Sequence, residues 1–180
     1  MKLRYASYFC LIAFSGTLGA QATNLNRFKD PEGITADPTG LHRDTSVRAF
    51  PRYPRGLQAK GITGAPVVAF VIDTTGRVEL ETASFVRTSR PEFAKAVCDL
   101  LPKLRFQPFL VGDQKWRVLL VEMFAFNNFG PPGEALRWPA PDTAASTLAA
   151  HSQEDFATKP IVKVVEQLVS LPHCDSPNIQ

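Results

Sequence analysis

The stretch KWRVLLVEMFAF, Lys115 to Phe126, constrains this chain more than any other part of it. It reads as a β-strand, yet it is apolar on both faces. One alternating set is Trp116, Val118, Leu120, Glu122, Phe124 and Phe126. The other is Leu119, Val121, Met123 and Ala125, with Arg117 as its only polar member after Lys115. A half-buried strand is apolar on one face and polar on the other, because only one face leaves water. Both faces here need cover, and so do Val67, Ala69 and Val71 in an earlier strand-like run. Three covers meet the need: another part of the chain, a second copy of it, or a partner protein. Cover from within the chain ranks first, because apolar strand residues are more often intramolecular core than binding site.

The residues around that strand read as a small α+β unit. YPRGLQAKGITG puts Pro54 where a first helical turn tolerates it and Gly61 where a helix stops, which predicts one short helix. APVVAFVID, Ala65 to Asp73, is dense in β-branched and aromatic residues and predicts a strand. TTGR supplies turn residues, with Gly76 able to take positive φ, and VELETASFV completes a hairpin. Thr88 or Ser89 is placed to cap RPEFAKAVCDLLPKLRF. There Phe93, Val97, Leu100, Leu101 and Leu104 recur at helical spacing and Pro102 ends or bends the helix. QPFLVGDQ reads as a return loop with Gly112 and Asp113 at its tip. The order of elements predicts a three-stranded sheet with one packed helix.

Composition and charge exclude some functions. Removing Lys2 and Arg4 with a leader takes the formal charge from +3 to +1, and no basic run is interleaved with aromatic residues. That offers no electrostatic case for nucleic acid. Residues 1–22 read as a secretory signal peptide. Lys2 and Arg4 form the basic region, an apolar run extends to Leu18, and Ala20 to Ala22 supply small residues for cleavage after Ala22. The alternative is an uncleaved inner-membrane anchor, and only then does the chain meet a membrane; the run is short of the roughly 20 apolar residues that a spanning helix needs. Export to an oxidising compartment makes Cys98 and Cys174 either a disulfide pair or, for Cys98, a buried small hydrophobe.

Residues 23–50 are polar and without periodicity, and read as a linker ahead of a domain spanning 51–128. Residues 129–180 form a Pro/Ala-rich and helical extension. It holds Trp138, a weakly helical run from Thr143 to Phe156, and then TKPIVKVVEQLVSLP. In that last segment Thr158 is placed as a cap and Pro160 in the first turn. Ile161, Val164, Val165, Leu168 and Leu171 make one apolar stripe. Packing this helix on the second face of the sheet would satisfy both. A Cys98–Cys174 bond competes with that arrangement unless the tail wraps around an edge, since its Cα atoms must lie within about 7 Å.

Catalytic chemistry has little support. His42, His151 and His173 fall in the linker, the weak helix and the tail, and no nucleophile elbow is present. His173, Cys174 and Asp175 are adjacent residues, which seldom share one tetrahedral ion, so no metal site and no cofactor is expected. Glu79 and Glu81 read as the solvent side of the hairpin.

Tyr53 to Phe126 resembles the C-terminal domain of the TonB family. The matching pieces are YPRGLQAKGITG with Tyr53, Pro54, Gly61 and Gly64; FVIDTTGRV with Gly76; and EFAKAVCDLLPKLRFQP with Arg105, Phe106 and Pro108. The last strand stands in the expected place. The resemblance implies one helix against a three-stranded antiparallel sheet, in a non-catalytic periplasmic domain that binds an extended peptide of a protein partner, such as an outer-membrane receptor. Binding would add the peptide as a strand beside Trp116, Arg117, Val118, Leu119, Leu120 and Val121. The alternative is a self-covered or homodimeric structural domain of the cell envelope with no transport role. Several features depart from the family pattern: the cleavable-looking leader, the short linker, a longer second strand, Gly56 and Leu57 in the first helix, and the extension after Phe126.

Overall fold

In the computed structural model the described residues are 27–47, 49–88, 90–127, 143–177 and 179. The signal-peptide reading and Trp138 lie outside them. The hairpin is formed by β2 (Val67–Ile72) and β3 (Val78–Arg87), where β1 denotes a two-residue strand, Ile34–Thr35. A further strand, β5 (Gln114–Met123), pairs antiparallel with the other side of β2, from Val67↔Met123 to Ile72↔Val118. These three are the predicted sheet. Two short strands extend it to five: β1 beside β5, and β4 (Phe109–Val111), which pairs with the start of β5. The predicted return loop is therefore a hairpin. Its β-prone residues Phe109, Leu110 and Val111 are turned tightly by Gly112 at φ 61 and Asp113.

The β2–β3 turn shows why two sequence features are where they are. Gly76 takes φ 83, and an added Cβ would lie 1.9 Å from the Phe106 carbonyl oxygen. The Phe106 N–H donates to the Gly76 carbonyl at 2.9 Å, so the close approach is part of the fold. Asp73 Oδ1 accepts from the Thr75 N–H and hydroxyl, both at 2.7 Å, and from the Arg77 N–H at 2.9 Å. Partial burial pushes the Asp73 carboxyl up, but these bonds and the Arg77 charge outweigh it and hold it below its ordinary value. A lowered carboxylate stabilises the fold above the ordinary range and stops doing so as pH falls through the lowered value. Replacement Asp73→Asn should therefore cost about 1 kcal/mol at neutral pH, with the deficit shrinking in acid. Urea melts at neutral pH and in acid check this; a deficit independent of pH would contradict it.

Strand β3 is irregular. Ala69 pairs with Ser84 and Val71 with Glu79, so five steps on β3 (84 − 79) oppose two on β2 (71 − 69). Thr82 fills the bulge: its hydroxyl accepts the Val71 N–H at 2.8 Å and donates to the Glu79 carbonyl at 2.6 Å. The extra length of this strand is a bulge. It also separates the two glutamates: Glu81 is exposed, but Glu79 is half-buried and ion-paired, not a solvent-face residue.

The helix over the first face, α2 (Pro91–Cys98), follows the short α1 (Arg55–Gln58). Arg90 is its N-cap and makes no side-chain cap bond, while Pro91 opens the first turn. Thr88 donates to the Arg90 carbonyl at 3.1 Å and does not cap the helix. The helix stops at Cys98, and Leu101–Lys103, with Pro102 inside it, forms a separate 3-10 turn. Phe93, Val97, Leu101 and Leu104 pack here with Val68, Phe70, Ile72 and Phe85.

The second face is covered from within the chain. Helices α3 (Thr143–Thr158) and α4 (Ile161–Val169) lay Ala145, Ala149, Phe156, Val164, Val165 and Leu168 on Val67, Ala69, Val71, Leu119 and Val121. Pro160 is the N-cap of α4, and Thr158 ends α3 with its hydroxyl donating to the Asp155 carbonyl at 3.0 Å. The surface that a dimer or partner would have covered is occupied. Phe28 and Ile34 complete this core at 2% and 3% exposure, which corrects the reading of residues 23–50 as a linker. The segment 27–47 shows no periodicity because it runs irregularly across the domain and buries one apolar residue at a time.

Cys98 and Cys174 are joined, with Cα atoms 5.6 Å apart. The tail wraps around the edge of β3, where the Phe85 N–H donates to the Pro172 carbonyl at 2.7 Å and Ser84 pairs with His173. That route lets α4 lie on one face of the sheet while Cys174 reaches α2 on the other.

Candidate functional site: the outer edge of β5

Alternation along β5 divides its backbone groups between two neighbours. One side meets β2 over Val118 to Met123. On the other side β1 runs parallel, with Ile34 opposite Arg117 and Thr35 opposite Val118. Where β1 ends, a side chain continues the pairing. The Val121 N–H donates to Gln153 Oε1 at 2.7 Å, and Gln153 Nε2 donates to the Leu119 carbonyl at 3.2 Å. The same Nε2 donates to the Ala36 carbonyl at 2.6 Å. A carboxamide has the donor and acceptor of a peptide group, so Gln153 acts as one residue of a strand. The edge from Arg117 to Val121 is thus met by the protein's own chain.

Arg117 organises this edge. Its Nε donates to Glu79 Oε1 at 2.8 Å and its Nη2 to the second carboxylate oxygen, a bidentate pair at 15% and 18% side-chain exposure. Its Nη1 donates to the carbonyls of Lys29 and Asp30, the latter at 3.1 Å. A polar residue among the apolar positions of its set therefore ties β5 to β3 and to the N-terminal segment.

That segment passes from one face of the sheet to the other around the β5 edge. Phe28, Ile34 and Ala36 lie in the core under α3 and α4, whereas Leu41 and Ala49 pack against the core under α2. Beyond the edge, the Gln107 N–H donates to the His42 carbonyl at 2.8 Å and the Asp44 N–H to the Arg105 carbonyl at 2.9 Å. Arg43 lies 5.5 Å over the Phe106 ring and reaches both Glu122 oxygens at 2.7 Å. Burial raises the Glu122 carboxyl above its ordinary value, with Arg43 opposing.

The other predicted edge residues are placed as follows. Trp116 is half-buried opposite Phe109; Val118 is buried; Leu120 packs against the core under α2. The motif residues are scaffold. Tyr53 donates to the Ile62 carbonyl at 2.6 Å and meets Phe93 and Phe126 edge-on at 5.9 and 5.6 Å, and burial raises its hydroxyl. Pro54 is the N-cap of α1, Gly61 turns the chain at φ 64, and Gly64 pairs with Phe126. Arg105 donates to the carbonyls of Pro102 and Leu104, Phe106 packs near Phe70, and Pro108 is exposed.

His173 and Ser176 form a local turn in which Nδ1 and Oγ are 3.0 Å apart. Burial and the Arg27 charge lower His173, with Asp175 opposing. Among the described residues, no three His, Cys, Asp or Glu side chains gather as a metal would require. Sequence reasoning missed Gln153, which sits in an alanine-rich helix with no pattern to single it out. It missed Glu79 as the partner of Arg117 for a related reason, since the β3 bulge is invisible in composition.

Residues 49–127 match the family model described as the Gram-negative bacterial TonB protein C-terminal. Among solved structures, the chain is similar to the TonB C-terminal domain of Pseudomonas aeruginosa, solved by solution NMR. The identity is 25%, the match covers 54% of this chain and 95% of that one, and the TM-score is 0.41. No curated protein matches the sequence.

Proposed function

From the match of residues 49–127 to the TonB C-terminal family model, we propose that the outer edge of β5 takes up an extended segment of a partner protein. In that family the domain is a periplasmic, non-enzymatic interaction domain of envelope transport. No helix among the described residues is long and apolar enough to cross a membrane. The observation that carries the reading is the occupancy of the edge: Arg117 and Val118 already pair with a strand from outside the three-stranded core. An edge that accepts such a strand has the geometry that strand addition uses, with backbone groups giving affinity and side-chain pockets giving specificity. Trp116 to Val121 are the receiving residues. Export through residues 1–22, with cleavage after Ala22, belongs to the same proposal, and an outer-membrane receptor is the kind of partner it envisages.

The second reading is a self-covered structural domain of the envelope. It is favoured by the closure of the β3 edge at Ser84 and Phe85 by a disulfide-fastened tail. A photo-cross-linking residue placed at Trp116, and in a control at Glu81, separates the two in intact cells. The expected result is one envelope protein joined through a defined extended segment at Trp116 only. A synthetic peptide of that segment should then bind the full chain. No product at Trp116, or equal products from both sites, would leave the structural reading standing.

A further inference from the structure

We propose that residues 27–44 and Gln153 form an intramolecular gate on β5, so that a partner strand enters only by displacing them. This rests on the reading of β5 as the receiving edge. The two edges of the sheet are closed in different ways. At β3 the covering tail is held covalently through Cys174. At β5 the cover among the described residues is a two-residue parallel strand, one carboxamide, the Arg117 contacts with the Lys29 and Asp30 carbonyls and the Arg43–Glu122 ion pair, all of them non-covalent. Of the two covers, only the one at β5 can leave without breaking a covalent bond.

The closed state carries local costs. Asp30 holds φ 44, a left-handed conformation that a residue with a Cβ disfavours. The Nε and Nη1 of Arg27 are buried and have no hydrogen-bond partner among the described residues, although Nη2 donates to Ser84 Oγ at 3.1 Å. What holds the segment down is the burial of Phe28 and Ile34 in the core, and at its far end the Arg43–Glu122 pair with the His42 and Asp44 backbone bonds to Gln107 and Arg105. Gln153 couples the parts, because one Nε2 bonds both the Ala36 carbonyl of the segment and the Leu119 carbonyl of the edge. An incoming strand that takes over Leu119 and Val121 therefore also breaks the bond to Ala36. Displacement is a population shift, and the entrant must bind the open state better than the segment does.

The test uses the full chain and needs no natural partner. The substitution Ile34→Asp puts a charge where Ile34 is 3% exposed, which expels the segment and leaves every β5 residue unchanged. The probe is a synthetic peptide of residues 27–38 of this chain. It should bind the Ile34→Asp protein at least tenfold more tightly than the wild type, and a probe carrying the same substitution should bind neither. Equal affinity for the two proteins, or binding to neither, overturns the gate. As a milder variant, Gln153→Ala should speed amide exchange of Thr35 and Ala36 at least tenfold, and unchanged exchange also overturns it. The two proposals fail separately. Probe binding without cross-links at Trp116 in cells leaves the gate and removes the partner reading; cross-links without a difference in probe binding do the reverse.

Discussion

Replacing both Cys98 and Cys174 with alanine should lower the stability of this protein by about 4 kcal/mol. The bond joins residues 76 apart in sequence, so it removes a large loop-closure entropy from the unfolded chain. The folded state loses more than a tether. Cys174 and Ile179 belong to the core under α2, and Pro172 and His173 cover the β3 edge at Phe85 and Ser84. Without the bond this tail is held by short-range contacts alone, and the β3 edge becomes a place where strands of other molecules can pair. Urea denaturation of the double variant against the oxidised wild type measures the effect. A loss below about 1 kcal/mol would mean that the tail is fastened by packing and that the disulfide is incidental.

The substitution Leu168→Ala should cost about 3 kcal/mol. Leu168 has no exposed surface and lies in the core between α4 and the sheet. Its removal leaves a cavity as well as losing transfer free energy, as at any close-packed site. The expected result is one cooperative transition, shifted as a whole and seen equally by probes of the helices and of β2. That outcome would mean the extension after Phe126 is half of the domain's core, because Val67, Ala69, Val71, Leu119 and Val121 have no other helical cover among the described residues. If α4 were an appendage, the substitution would melt it locally and leave the midpoint of the sheet in place. A biphasic curve with an unmoved second phase would therefore overturn this account of the fold.

How much was legible in the sequence depended on the range of the interaction. The β2–β3 hairpin, its Gly76 turn and the apolar face of α2 follow from residues close in sequence, and their patterns survive folding unchanged. The same holds for α4, whose apolar stripe shows before any partner is known. The need for a second cover on β5 was also legible, since a strand with apolar residues on both faces cannot leave either face in water. The identity of the cover was legible only in part. Helix α4 was marked by its period, but Phe28, Ile34 and Ala36 are single buried residues in a polar, irregular stretch.

The residues at the candidate site divide in the same way. Arg117 stood out as a polar residue among the apolar positions of its set, whereas Gln153 and Glu79 carried no signal. Their importance comes from where helix packing and a bulge place them. By itself, then, the sequence determined the local elements, the family pattern from Tyr53 to Phe126 and the demand that both faces of β5 be covered. The tertiary structure alone decided that the edge of β5 is closed, and by which groups. The reason is physical: hydrophobic periodicity records how a segment meets its nearest layer, but edge pairing is made by backbone groups that every residue carries alike. Only the arrangement in space tells which of those groups meet.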